Sequence, residues 1–170
     1  GWVSSLPPAP SITGRPAKRY RFQSEAGIVV GLDIGANHID VLATNLVGSS
    51  LASLRADISP EAPASERLST ALALLEDALN VKGIVRERLT VISVALTGPV
   101  DAEGRYPYGT PLPGWDSVNI ADELRERYGC AVLVENDCKC ALAAEAWSGQ
   151  AQGLSSAAYI MAGARIGASF

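Results

Sequence analysis

Three apolar runs follow one another with almost nothing between them: IVVGLDI at residues 28–34, IDVLATNL at 39–46 and SLASLRADI at 50–58. Each has strand character, and the joints are a tight Gly-Ala-Asn turn at 35–37 and a break at Gly48. Parallel neighbours need a crossover of a dozen or more residues, so connections this short allow only antiparallel pairing. A three-stranded meander is therefore predicted.

The rest of the chain supplies further elements in alternation. Pro60 to Ala64 read as a loop. Residues 65–79 then place Leu68, Leu72, Leu75 and Leu79 at helical spacing, with Glu66, Glu76 and Asp77 on other faces. LTVISVAL at 89–96 reads as a buried strand. From Gly98 to Gly114, four glycines and four prolines punctuate a long irregular segment, which in a small domain usually carries function. Asn119 is placed to cap a helix with apolar positions Ile120, Leu124 and Tyr128, which Gly129 ends. AVLVEND is a further strand that runs directly into a helix from about Cys138 to Trp147. AAYIMA and ARIGASF then form a last strand, turn and strand, with no helix to cover them. The order is that of an α/β fold with a meander and βαβ units.

The N-terminal segment has a different character. Residues 1–24 hold Arg15, Lys18, Arg19 and Arg21 and no acid, whereas the remainder holds 10 of the 14 cations and all 18 acids, a net −8. Prolines at 7, 8, 10 and 16 exclude a helix. In KRYRF, Tyr20 and Phe22 alternate with Arg19 and Arg21, as in a hairpin strand with an aromatic face and a basic one. A two-stranded hairpin is marginal alone, so it belongs to something larger, and the chain, beginning at Gly-Trp, reads as cut from a longer protein. The basic edge suits a polyanion, the alternative being a solvated tail. Apolar runs are too short to span a bilayer, the opening residues lack the charged-then-apolar order of a signal peptide, and three cysteines cannot all pair, so a cytoplasmic, reducing location is expected.

The segments LDIGANHID, TGPVD, PLPGW, VENDCKCALAAE and AGARIGASF, in that order and spacing, resemble the ROK family. That family joins bacterial sugar kinases to sugar-responsive repressors. The resemblance spans roughly residues 28–170 and extends to the opening, where GW…GRPA…Y.F resembles the wing of a winged-helix DNA-binding domain. It implies an actin/hexokinase-like (ribonuclease H-like) lobe preceded by the remnant of that wing. The implied divisions are wing end and linker at 1–24, a first lobe at 25–136, and a hinge helix with an incomplete second lobe at 137–170.

The resemblance also implies site residues. Asp137 lies where the family's catalytic base lies, and Asn136 where a sugar hydroxyl is bound; Gly98 and Pro99 fit the loop beneath the sugar. Asp33, Gly35, Asn37 and Gly163 fall on the two phosphate turns. Both turns depart from the kinase pattern: DIGAN puts Ala36 and Asn37 in place of glycine and threonine, and AGARIG puts Arg165 inside the second turn, where it could bind another anion. A methyl at position 36 hinders close backbone approach. Pro111 stands where kinases carry an asparagine. Trp115 is expected to pack rather than stack, and the lone His38 to lie at the surface. Cys138 and Cys140 point different ways on a helix, so no metal site is expected, and the family's zinc motif is absent from this stretch.

Taken together, these imply a sugar-responsive, DNA-binding regulator acting as a repressor. Arg15, Lys18, Arg19 and Arg21 would face DNA, and a sugar or sugar phosphate would be the effector. A homodimer or tetramer is expected, with no membrane partner and no cofactor. The alternative is an ATP- and magnesium-dependent sugar kinase using Asp137; a third reading is an interaction domain that has lost both ligands.

Overall fold

In the computed structural model, the described residues are 1–7, 17–81, 83–101, 103–109, 111–163 and 165–170. Arg15 lies outside them. Strands β1 (Val3–Leu6) and β2 (Arg19–Phe22) form an antiparallel pair. The register sets Val3 opposite Phe22 and Ser5 opposite Tyr20, with Ser4 opposite Arg21 and Leu6 opposite Arg19. Aromatics thus occupy one face and arginines the other, as the period-two pattern requires. Gln23 N–H donates to Trp2 O at 2.8 Å and extends the pairing.

A five-stranded mixed sheet follows, built from β3 (Ile28–Ile34), β4 (His38–Asn45), β5 (Ser50–Asp57), β6 (Leu89–Leu96) and β7 (Ala131–Asn136). Its spatial order is β5-β4-β3-β6-β7. The meander is antiparallel, whereas β6 and β7 run parallel to β3. Helices α1 (Ala64–Val81) and α2 (Ile120–Tyr128) provide the crossovers. Helix α3 (Asp137–Ser148) and the hairpin of β8 (Tyr159–Ala162) and β9 (Ile166–Ser169) complete the chain.

One sheet face carries the core. Ile28, Val30, Leu32 and Ile34 of β3 are buried with Ile39, Val41 and Ala43 of β4 and Ile92, Val94 and Leu96 of β6. Helix α1 lies against β3, β4 and β5, and α2 against β7. Burying one such aliphatic side chain is worth about 1.5–3 kcal/mol. The leucine stripe expected on α1 is rotated. The fully buried positions are Arg67, Ala71, Leu75, Ala78 and Leu79, while Leu68 and Leu72 are half-buried. Alanines at 71 and 78 let the helix approach the sheet closely, so the small side chains take the inner line.

The ends of α2 follow its sequence. Asn119 Oδ1 accepts from Asp122 N–H at 3.2 Å, and Gly129 closes the helix at φ +64°. Trp115 is buried and packs in the core. The carboxyl ends of the three parallel strands converge on one edge of the sheet, since Ile34 aligns with Leu96 and Leu96 with Asn136. In open α/β sheets that edge is where ligands sit.

Candidate functional site

At the edge where β6 and β7 end, a cleft of about 800 Å³ opens between the loop after β6, the start of α3 and the β8–β9 hairpin. Gly98, Pro99, Asn136 and Asp137 all line it. Asn136 is the N-cap of α3: its Oδ1 accepts from Lys139 N–H at 3.1 Å. Its amide nitrogen donates to Gly98 O at 2.8 Å and to Asp137 Oδ1 at 2.9 Å. Asp137 occupies the first helical position, and its Oδ1 also accepts from Cys138 N–H at 2.7 Å. Its Oδ2 has no hydrogen bond among the described residues, so one carboxylate oxygen is left to meet a hydroxyl in the cleft.

Gly98 is required by geometry. Its φ is +100°, and a Cβ there would stand 2.8 Å from Pro111 Cγ. Tyr106 Oη donates to Thr97 O at 2.6 Å and holds the strand end below it. Pro111, which stands where kinases carry a hydrogen-bonding asparagine, packs against Gly98 and offers only its carbonyl, which accepts from Arg165 Nη2 at 3.2 Å. Arg165 projects from the β8–β9 turn, where Gly163 N–H donates to Arg165 O at 3.0 Å.

Asp33, Gly35 and Asn37 do not line this cleft. They cluster at the β3–β4 turn, with Asp33 facing a shallow depression of about 240 Å³ beside Asp40 and Cys140. The expectation that His38 is a surface residue is corrected. Its ring is half-buried and lies on Gly35, where a Cβ would be 2.5 Å from His38 Cε1. Nδ1 is 3.0 Å from Asn37 Oδ1, and Nε2 is 3.2 Å from Asp33 Oδ2. Both backbone polar groups of Gly35 are already used: N–H donates to His38 O at 3.0 Å, and O accepts from Arg67 Nη1 at 2.7 Å. Ala36 turns its methyl toward the core, so it packs rather than merely obstructing.

Arg67 escaped the sequence reading. Its guanidinium is fully buried, donates also to Ser59 O at 3.1 Å, and leaves Nε without a partner. Desolvation lowers its pKa, yet an arginine stays charged in proteins. The available signal was a lone cation four residues before Ala71, on the buried line of α1. Burial raises the Asp33 carboxyl above its ordinary 3.8, with His38 pulling the other way. Asp33, His38 and Asp40 together offer three ligand atoms, but Arg55 Nη1 already donates to Asp40 Oδ2 at 2.8 Å. Cys138 is buried and Cys140 half-buried, and all three cysteines are free.

At the other end of the chain, Lys18, Arg19 and Arg21 are exposed and have no carboxylate partner among the described residues. No helix among the described residues is long and apolar enough to cross a membrane.

Comparison with known proteins places this geometry. A xylose repressor of Caldicellulosiruptor bescii is 20% identical over 155 residues, which covers 91% of this chain and 39% of the repressor. The chain therefore spans about two fifths of the length of that relative. A ROK family glucokinase from Streptomyces griseus, solved with glucose and AMPPNP, superposes with a TM-score of 0.70 at 23% identity, covering 84% of this chain and 43% of the kinase. A ROK family transcriptional regulator, a homologue of the E. coli MLC protein, superposes with a TM-score of 0.71 at 20% identity, covering 98% of this chain and 42% of the regulator. These likenesses show a shared actin/hexokinase-like fold. The ROK family model itself matches residues 29–170, and the chain belongs to the ROK family.

Proposed function

We propose that this chain is the effector-sensing part of a sugar-responsive, DNA-binding repressor. A sugar in the cleft at Asn136 and Asp137 biases its closure, and the basic hairpin at the N-terminus communicates with DNA. The observation that carries this reading is the contrast between a formed sugar edge and a closed nucleotide turn. Asp137 keeps a carboxylate oxygen open to the cleft, while Gly35 has both backbone groups bonded and His38 lying over it. A triphosphate needs free backbone amides and room for close approach. The residues around Gly35 do not fit one, so occupancy rather than turnover is the output.

Coverage supports the same reading. The regulator aligns with 98% of the chain, which necessarily takes in the β1–β2 hairpin, whereas the glucokinase aligns with 84%. Arg19 and Arg21 share one exposed face of that hairpin, where they can neutralise phosphates whatever the sequence. An effector that binds one arrangement of the cleft better than another shifts the population, and with it the affinity for DNA. We further propose, by likeness to the xylose repressor and the glucokinase, a pentose or hexose as effector class, and a cytoplasmic site of action.

The test uses the full-length protein and the DNA upstream of its own gene. A salt-dependent complex is expected in a mobility-shift assay, weakened by the Arg19→Gln/Arg21→Gln double variant and released by a member of a pentose and hexose panel. ATP-dependent phosphorylation of any sugar in that panel, abolished in Asp137→Asn, would overturn the reading in favour of the kinase. The free Oδ2 of Asp137 is the feature that favours that second reading.

A further inference from the structure

We propose that Asp33, His38 and Asp40 form a site for a divalent transition-metal ion of the zinc class, set across the β3–β4 turn and separate from the sugar cleft.

The hairpin register brings the three together. Asp33 and Asp40 are direct cross-strand partners, and His38 opens β4 two residues before Asp40. Residues at i and i+2 of a strand share a face, so all three stand on one side of the sheet. His38 Nε2 lies 3.2 Å from Asp33 Oδ2 and 3.9 Å from Asp40 Oδ2, and the ligand atoms of the trio all fall within 4.8 Å of one another. Four-coordinate zinc, with bonds of about 2.0–2.2 Å, holds its ligand atoms about 3.4 Å apart. Small side-chain adjustments would bring the trio to that spacing.

The hydrogen bonding of the His38 ring is a second, independent sign. Its Nδ1 is 3.0 Å from Asn37 Oδ1, and its Nε2 faces Asp33. An amide oxygen and an ionised carboxylate only accept, whereas a neutral imidazole has a single N–H to give. With that hydrogen on Asn37, the Nε2 lone pair points at two carboxylates, and a cation between them is what satisfies all three. Metal-binding imidazoles are held in this way, with the far N–H given to an oxygen. The Asp40 carboxylate is braced too. Arg55 Nη1 donates to its Oδ2 at 2.8 Å, which orients the group and still leaves lone pairs for an ion. Two carboxylates against one guanidinium leave a net negative charge for a dication to balance. Asp33 and Asp40 both line the shallow depression of about 240 Å³, which gives the ion its way in. One imidazole beside two carboxylates favours zinc or nickel over magnesium and calcium, which prefer oxygen-only shells. A bound ion would join the two strands across the turn that Arg67 supports from below.

The test uses chelator-stripped full-length protein, titrated with zinc chloride against a chromophoric competitor, with nickel, magnesium and calcium chlorides in parallel. The wild type should take up about one zinc ion per chain more than His38→Gln or Asp40→Asn. Asn37→Ala, which removes the oxygen behind the ring, should weaken that ion about tenfold without abolishing it. Urea midpoints in chelator check that each variant folds, and Asp40 lies toward the surface, so its variant keeps the test open if His38→Gln does not fold. The same zinc count and affinity in the wild type and in folded Asp40→Asn would overturn the site, leaving His38 as an imidazolium between two carboxylates. Magnesium or calcium bound as tightly as zinc would overturn the imidazole ligand. Neither sugar nor DNA enters this measurement, so its failure leaves the repressor reading untouched.

Discussion

The β3–β4 turn and the β8–β9 turn both close hairpins. They are built in opposite ways. The first is held on three sides: Arg67 bonds Gly35 O from the core, the His38 ring covers Gly35 from outside, and Ile58 N–H donates to Asn37 O at 3.1 Å. Among the described residues, the second has one internal backbone bond and one side-chain bond to Pro111, and Ile166 beside it is 83% exposed. A turn secured from three directions is scaffold. A turn secured by a single cation can respond to what that cation binds.

The comparison breaks most visibly at Arg67. Arg67→Met relieves a desolvated charge but orphans two buried carbonyls, at Gly35 and Ser59, and the second effect is the larger. A loss of about 2 kcal/mol or more is expected in urea unfolding. A change below about 0.5 kcal/mol would mean that the first turn needs no support from below.

Next in size is Gly35→Ala, whose new methyl meets the His38 ring. The expected cost is about 1–3 kcal/mol, most of it absent in a His38→Ala background. An equal cost in both backgrounds would remove His38 from the account.

A smaller effect concerns pH. Burial makes the folded chain hold the Asp33 proton longer than the unfolded chain does. Stability contributed by this group therefore falls as pH rises from the ordinary 3.8 through the higher folded value. Asp33→Asn should flatten that part of the urea midpoint against pH, and an unaltered profile would contradict it. Least of all should Arg165→Gln matter to folding, with a change inside about 0.5 kcal/mol, because its fork is exposed and singly bonded. A large loss there would make the second turn structural too.

Local chemistry explains what could be read in advance. The meander, the two crossover helices and the β8–β9 hairpin follow from period, caps and turn residues, because those signals act within a few positions of the chain. Asn119 and Gly129 bound α2 as their types dictate. The convergence of Gly98 with Asn136 and Asp137 came from the resemblance, since no local rule brings residues 38 positions apart into one hydrogen bond. Two tertiary features were illegible. Ala71 and Ala78 share the inner line of α1 with Leu75 and Leu79, while Leu68 and Leu72 are turned partly outward. His38 reads as a polar residue after a turn, and only the folded hairpin sets it on Gly35 and beside Asp33.

The arrangement at Asn136 has a mechanical consequence. Both of its amide hydrogens are spoken for, one by Gly98 and one by Asp137, while its oxygen seats the first turn of α3. An acceptor arriving at the Asn136 amide would therefore compete with Gly98 O or with Asp137 Oδ1, and leave the cap bond from Lys139 N–H in place. This single amide thus ties the loop after β6 to the first residue of α3, so whatever displaces it loosens that tie.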